Sequence, residues 1–205
     1  MTTIAAPIPK VLAAKAKTER VFSLETYFRR EERALYKSEY HNGKIFKMPG
    51  GTFNHDNLGT KAATILTVFV EDNDLNYFVN GSDTKIRIED FDRVVYPDAV
   101  VICDKPIYYA DRKDVIINPL VIVEVISDSS DKYDRGDKFE FYRSLESFKE
   151  YVLINQKRKL VTVYTKQSDE NWLMRDYKGD DAIAVLYALH NCPLPLKRLY
   201  RGLEL

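Results

Sequence analysis

The chain has 205 residues, 45% of them hydrophobic and 30% charged, which is enough for a globular protein with a substantial core. That balance, together with 14 tyrosines and 10 phenylalanines, excludes a disordered chain. Lysine plus arginine equal aspartate plus glutamate at 31 each, so nucleic-acid binding would have to depend on a local patch rather than on overall charge.

Cysteine usage and hydropathy bear on where the protein works. Cys103 and Cys192 lie too far apart in sequence for a zinc-knuckle spacing. The chain does not begin with a basic and then apolar signal segment, and no apolar run approaches the roughly 18 to 20 residues needed to span a bilayer. We therefore expect a cytoplasmic protein with reduced thiols that does not act in the membrane.

The N-terminal region divides into an arm and a first helix. Residues 1–20 carry small residues, two prolines and scattered cations, which predicts a flexible arm ahead of one domain over residues 21–205. The stretch "SLETYFRREERAL" then predicts a short helix with a serine N-cap. Its arginines either contact phosphate or form a solvated face with the neighbouring glutamates.

A hairpin and a long helix follow. The Asn42-Gly43 pair predicts a two-residue turn between the strands of "LYKSEYHNGKIFKM", and strand alternation turns Glu39 away from the Tyr40 side. The stretch "TFNHDNLGTKAATILTVFVEDN" predicts the longest helix, with His55 near its start on the apolar side.

The rest of the chain predicts strands interrupted by one helix over residues 132–145. An apolar strand, that helix and a second apolar strand are typical of a βαβ crossover in a covered sheet. We therefore expect an α/β (α+β) fold, a mixed sheet flanked by helices. The predicted strands are residues 75–80, 84–90, 93–103, 119–127, 149–155, 159–165, 172–177 and 182–189.

Glu124 stands in the middle of the apolar strand "PLVIVEVIS", where an unpaired carboxylate is costly. Asp98 directly follows Pro97 at the entry to the preceding strand, so both carboxylates could meet at one end of the sheet. Two acids and several waters would suit Mg²⁺, which prefers oxygen ligands. Alternatively, Glu124 is a buried acid satisfied by one lysine, and Asp98 is a turn residue.

Lys138 is the candidate partner of these acids. It shares a helical face with Phe141, Tyr142 and Leu145, and Asp134 lies one turn earlier on that face, where it could orient the lysine. An inward lysine beside carboxylates either neutralises them in a structural ion pair or positions water and stabilises charge on a phosphoryl group. It could also extend past the sheet edge to solvent.

Three motifs resemble those of the Uma-type restriction endonuclease family, within the PD-(D/E)XK nuclease superfamily. The resemblance covers most of the chain, residues 24–200. The motifs are "YPD" at residues 96–98, "VEVIS" at 123–127 and "DKFEFY" at 137–142.

The resemblance implies a restriction-endonuclease-like core with an added N-terminal helix and hairpin and C-terminal strands. It implies Asp98 and Glu124 as metal ligands and a lysine that assists the attacking water. Ile126 occupies the usual position of that lysine, and in this family the lysine is supplied by the next helix, where Lys138 stands. Glu39 matches an acid of the family's early hairpin, and His55 matches a histidine that could contact phosphate or water; the alternatives are an exposed strand acid and a polar residue at the helix start.

The resulting hypothesis is an endonuclease that uses Mg²⁺, with Mn²⁺ as a substitute, to hydrolyse phosphodiester bonds, with DNA as the expected substrate. Asp98, Glu124, Lys138 and Glu39 are the expected catalytic residues. Double-strand cleavage with one active site per chain would favour a homodimer. Two alternatives stay open: a non-catalytic module that retains the nuclease fold to bind nucleic acid or protein, and a structural protein in which the Glu124 and Lys138 pair fixes the crossover.

Overall fold

The computed structural model describes residues 21–127, 130–168 and 171–205, so the predicted N-terminal arm lies outside the described residues. A π-helical segment at Asp134–Lys138 joins the third and fourth helices, and a 3₁₀ turn lies at Tyr187–Leu189. The α-helices are α1 (Leu24–Glu31), α2 (Phe53–Asp72), α3 (Asp131–Tyr133), α4 (Phe139–Arg143) and α5 (Leu196–Leu199).

The strands form two six-stranded sheets and one two-stranded sheet within the described residues. In chain order they are β1 (Ser38–His41), β2 (Lys44–Lys47), β3 (Tyr77–Gly81), β4 (Lys85–Ile88), β5 (Arg93–Val95), β6 (Ala99–Cys103), β7 (Tyr108–Tyr109), β8 (Arg112–Ile116), β9 (Val121–Ile126), β10 (Glu150–Asn155), β11 (Leu160–Lys166), β12 (Trp172–Lys178), β13 (Ile183–Leu186) and β14 (Cys192–Pro195).

The two large sheets have distinct strand orders. The first runs β2-β1-β5-β4-β8-β7 and contains the predicted hairpin, while the second runs β12-β11-β10-β9-β6-β3. In the second sheet β9 pairs in parallel with β10 and antiparallel with β6. The helical segments between β9 and β10 therefore form the predicted crossover, and Glu124 lies on an interior strand of the sheet.

The predicted single strand over residues 93–103 is wrong. Residues before Pro97 form β5 in the first sheet, and those after it form β6 in the second. Proline has no N–H to donate and a fixed φ, so it interrupts a ladder and allows the chain to change sheets. This change of sheet places Asp98 at the entrance to β6, beside β9.

Alternate residues of β9 face two different cores. Val123 and Val125 pack in the core that contains the buried face of α2, while Ile122 and Ile126 pack in the core that contains Phe141 and other aromatic rings. Because side chains alternate along a strand, Glu124 faces the second core, on the side of the crossover segment. Ile126 is fully buried there.

The mixed α+β class is confirmed, although the sequence did not distinguish the two large sheets. The predicted helix over residues 132–145 is observed as α3, the π-helical segment and α4. Of its predicted inward residues, Lys138, Phe141 and Tyr142 are buried and Leu145 is half-buried. Strands β7, β8 and β14 and helix α5 were not predicted. None of the helices in the described ranges has the length and apolar character of a membrane span.

Candidate active site

The residues predicted to carry chemistry come together in one cleft of about 440 Å³ between the hairpin, the start of α2 and the crossover segment. Glu39 comes from the hairpin, Asp98 from the position where the chain passes from the first large sheet to the second, and Glu124 from β9. All six candidates line this cleft: Glu39, His55, Asp98, Glu124, Asp134 and Lys138.

Glu124 is 4% exposed, and its carboxylate accepts hydrogen bonds from two donors. Lys138 Nζ and Tyr142 Oη each lie 2.9 Å from Glu124 Oε1. Burial raises the pKa of Glu124 well above its ordinary value, Lys138 opposes that rise, and Asp98 and Asp134 add to it. Burial and the neighbouring negative charges therefore destabilise the ionised form of Glu124, and Lys138 stabilises it.

Lys138 is buried among acids. Its Nζ lies 2.9 Å from Glu124 Oε1 and 3.5 Å from Asp134 Oδ1, so the predicted contacts with both residues are present. Burial lowers the pKa of Lys138, but the carboxylates of Glu124, Glu39 and Asp134 together raise it well above its ordinary value. The amine is therefore protonated at neutral pH and acts as a donor rather than as a base. It does not extend past the sheet to solvent.

Asp98 is bound into the edge between β6 and β9. Its backbone N–H donates to Val123 O at 3.1 Å, and its Oδ2 accepts from the Val125 N–H at 2.6 Å. Its Oδ1 lies 2.9 Å from His55 Nε2. The hydrogen bond to Asp98 raises the pKa of His55, although burial lowers it. Asp98 thus continues the strand pairing with its side chain while facing the cleft.

Glu39 is 8% exposed, so it is not an exposed strand acid. Its Oε2 lies 2.9 Å from His41 Nε2, and its Oε1 accepts from the Tyr96 N–H at 3.4 Å. Burial raises the pKa of Glu39, but the hydrogen bond from His41 and the charge of Lys138 outweigh it and leave the pKa below its ordinary value. Glu39 is consequently an ionised acid on the hairpin side of the cleft.

Four further residues of this region were missed in the sequence. Tyr142 was assigned only to the apolar face of its helix. His41 stands two residues from Glu39 on the same face of β1, and this spacing could have predicted their contact. Thr52 and Gln156 are joined by a hydrogen bond of 2.7 Å and both line the cleft, yet they are 104 residues apart in sequence. Only the fold brings such a pair together.

The donor set suits a divalent cation with oxygen ligands. Among the described lining residues, four carboxylates face two lysines, Lys47 and Lys138. Hydrogen bonds from the described residues reach Glu124 at Oε1, which leaves Oε2 for a cation. No group of three or more His, Cys, Asp or Glu side chains in the described ranges is close enough to enclose a metal. Mg²⁺ keeps several waters and is often held by one or two carboxylates, so Asp98 and Glu124 fit it.

Comparison with known proteins assigns the family. The family model described as "Uma2: Putative restriction endonuclease" matches residues 24–196, most of the chain. The chain belongs to the Uma2 family. The resemblance seen in the sequence motifs is thereby confirmed.

Two relatives and one solved structure are similar to the Uma2 chain. "Uncharacterized protein sll1609" and "Uncharacterized protein slr1290" of Synechocystis sp. are 33% and 32% identical over 80% and 87% of this chain, and 92% and 86% of their own lengths. A crystal structure from Anabaena variabilis, described as "a putative nuclease belonging to DUF820", aligns with a TM-score of 0.67 at 17% identity. It covers 87% of this chain and 97% of its own. At that identity the match supports the fold alone.

Proposed function

We propose that this protein is a metal-dependent endonuclease that hydrolyses phosphodiester bonds of nucleic acid, with DNA as the first substrate to test. The observation that carries the proposal is the convergence of Asp98, Glu124 and Lys138 in one cleft. Their order along the chain matches the motif order of the superfamily, with Lys138 in place of the lysine that Ile126 replaces. The Uma2 family and the nuclease-like fold support the same reaction class.

Asp98 and Glu124 are the proposed ligands of Mg²⁺ or Mn²⁺. Bound there, the ion would supply a more acidic water and positive charge for the phosphoryl group. Asp98 is fixed for this task by the Val125 N–H, and Glu124 by Lys138 and Tyr142. A cation would also offset the repulsion that helps to raise the pKa of Glu124.

Lys138 and Glu39 are the proposed supporting groups. The Lys138 amine is protonated, so it can donate to an attacking water or to a phosphoryl oxygen as negative charge develops. Asp134, 3.5 Å from Nζ, would hold the amine towards the cleft. Glu39 is ionised and could accept a hydrogen bond from a water or help to hold a second ion. His55 would act through Asp98, whose Oδ1 it contacts.

The test compares cleavage of labelled duplex DNA, single-stranded DNA and RNA by the purified full chain in Mg²⁺, Mn²⁺ or EDTA. Asp98→Asn, Glu124→Gln and Lys138→Met should each lower the cleavage rate on the order of 100-fold or more, because the first two remove a proposed metal ligand and the third removes the donor to the developing negative charge. Glu146→Gln changes an exposed acid and is the matched control. Absence of metal-dependent cleavage on all three substrates would overturn the proposal.

A non-catalytic binding module is the second candidate. It is favoured by the hydrogen bonds that already engage Asp98 and Glu124 and by the absence of an enclosing three-ligand cluster among the described residues. Calorimetric titration with Mn²⁺ separates the two candidates. Metal binding that is lost in Asp98→Asn supports the nuclease, whereas DNA binding without metal binding or cleavage supports the module.

The homodimer is also a proposal, because a chain with one active site would cut one strand at a time. Light scattering of the chain with and without duplex DNA measures its mass directly. A dimer that forms on duplex DNA would agree with double-strand cleavage, and a monomer that nicks one strand would contradict the homodimer.

A further inference from the structure

The part of the cleft formed by the start of α2 and the residue after β10 differs in chemistry from the acidic wall, by which we mean the four carboxylates of Glu39, Asp98, Glu124 and Asp134. Gln156 lies directly after β10, and its backbone N–H donates to Ile126 O at 3.1 Å, which anchors it beside the strand that carries Glu124. The residue is 8% exposed, yet it lines the cleft. A buried side-chain amide normally has hydrogen-bond partners for both its oxygen and its nitrogen.

The orientation of the Gln156 amide follows from Thr52. The Thr52 hydroxyl is the N-cap of α2 and accepts from the His55 N–H at 3.3 Å. Its own proton is thus available to Gln156 Oε1, 2.7 Å away. Gln156 Nε2 has no hydrogen-bond partner among the described residues. It is also not one of their fully buried polar atoms without a partner, so solvent or a ligand can reach it. Because Gln156 lines the cleft, its two N–H donors are available to a ligand there.

The same part of the cleft carries the N-terminus of α2. This helix has 20 residues, and the first N–H groups of a helix have no carbonyl partners within it. The aligned peptide dipoles add a partial positive charge at that end. Thr52 and His55 both line the cleft, so this end of the helix borders the same space as the Gln156 amide.

We infer that Gln156 and the N-terminus of α2 form a phosphate subsite, which binds a non-bridging oxygen of the nucleic-acid backbone in the same cleft as the acidic residues. The inference rests on the proposed function in that it takes the ligand to be a phosphodiester. The four carboxylates of the cleft would repel such a strand, and neutral donors in the same cleft hold its phosphate without forming ion pairs with those acids. Gln156 is thereby a substrate contact, and Thr52 is a positioning residue that orients its amide.

The test uses the full chain and two substitutions of Gln156. Gln156→Glu keeps an acceptor for the Thr52 hydroxyl but replaces the donors with a charge that repels phosphate. Gln156→Met keeps the length without donors and covers the case in which the buried acid impairs folding. Gln167→Glu makes the same charge change at an exposed position and is the matched control. Melting temperature and near-ultraviolet circular dichroism establish that each variant is folded.

The main readout is the affinity for a fluorescent oligonucleotide in EDTA, where binding is measured without metal-dependent cleavage. Stabilisation of the chain by inorganic phosphate, against chloride at equal ionic strength, is the second. Both Gln156 variants should bind the oligonucleotide 10-fold to 100-fold more weakly, as expected on the order of magnitude for a hydrogen bond to a charged group. Gln167→Glu should stay within about twofold of the wild type.

The outcomes separate this inference from the proposed hydrolysis. Folded Gln156 variants that bind as the wild type does would overturn the phosphate subsite, whatever the cleavage rate. A wild-type chain that binds neither oligonucleotide nor phosphate would overturn it as well. If the wild type does not cleave any substrate but its binding of the oligonucleotide depends on Gln156, the result supports the phosphate subsite and contradicts the proposed hydrolysis.

Discussion

At the scale of single residues, the buried Glu124 carboxylate is stabilised by two hydrogen-bond donors from the crossover segment between β9 and β10. Lys138 and Tyr142 both reach Oε1 at 2.9 Å, and both come from the helical segments between β9 and β10. A buried ion pair of this kind adds little net stability compared with apolar residues, yet removal of one partner leaves an uncompensated charge. The pair can thus be structurally necessary and chemically active at once.

Removing either partner alone should therefore be more harmful than removing both. We expect Lys138→Met to lower the free energy of unfolding at pH 7 by about 3 to 5 kcal/mol, because Glu124 loses its cation. Adding Glu124→Gln to that variant should restore part of the loss, since a neutral amide costs less to bury. Urea denaturation of the wild type, the single variants and the double variant measures the coupling. If the losses of unfolding free energy in the two single variants add up to the loss in the double variant, the expected coupling between Lys138 and Glu124 is contradicted.

At the scale of elements, the helical crossover contains a π-helical segment, Asp134–Lys138, between two short α-helices. Such segments widen the helix locally and are frequent at functional sites. Here the segment begins with Asp134 and ends with Lys138, and both residues line the cleft. Helical periodicity predicted which residues point inward, but it could not predict the π geometry, because hydrogen bonds to the fifth residue leave no signature in residue type.

Gly136 lies inside that segment, is exposed, and has a φ outside the positive region. A Cβ built on it meets nothing within 4 Å. Gly136→Ala should raise the free energy of unfolding by about 0.5 to 1 kcal/mol, because alanine loses less backbone entropy on folding. Thermal unfolding measures the change, and an unchanged or lower melting temperature would contradict it.

Gly43 in the hairpin turn gives the contrasting case. Its φ is +83°, and a Cβ there would meet Val21 Cγ1 at 2.5 Å. Gly43→Ala should therefore lower the melting temperature in the same experiment, because alanine is strained at positive φ. If both substitutions shift stability in the same direction, backbone conformation is not the cause.

At the scale of the whole molecule, the sequence predicted the proximity of the candidate site residues better than the arrangement of the sheets. Glu124, Lys138 and the parallel pair β9 and β10 follow from local patterns: an acid in an apolar strand, a helical face and an apolar strand after the helix. Alternation shows which face of a strand is buried but not what covers it, so the division into two large sheets was missed. Gln156 was missed for the same reason, since its partner Thr52 comes from a distant element.

Glu150 was also missed, and it joins the second sheet to the C-terminal elements. The residue is fully buried at the start of β10 and accepts hydrogen bonds from Thr165 Oγ1 at 2.6 Å and from the backbone N–H groups of Tyr187 and Ala188 at 3.0 and 3.1 Å. Burial raises the pKa of Glu150 above its ordinary value of 4.5, and these hydrogen bonds oppose the rise. The native state therefore binds this proton more tightly than the unfolded state does.

The free energy of unfolding should therefore depend on the pH through the protonation of Glu150. The favourable contribution from Glu150 is fully present below pH 4.5 and is lost as the pH rises through the raised native pKa. The free energy of unfolding of the wild type, minus that of Glu150→Gln, should accordingly fall as the pH rises through this window. Urea denaturation at a series of pH values measures the difference. A difference that grows with pH would contradict the assignment.

The hydrogen bond from the Val125 N–H to Asp98 Oδ2 links a proposed ligand directly to the pairing of two central strands. An amide proton held in this way exchanges with solvent only when the bond opens. Its chemical shift and exchange rate would therefore follow any event at the Asp98 carboxylate, including ion binding or rotation of the side chain. Val125 is thus a spectroscopic reporter built into the backbone, and it requires no label in the cleft itself.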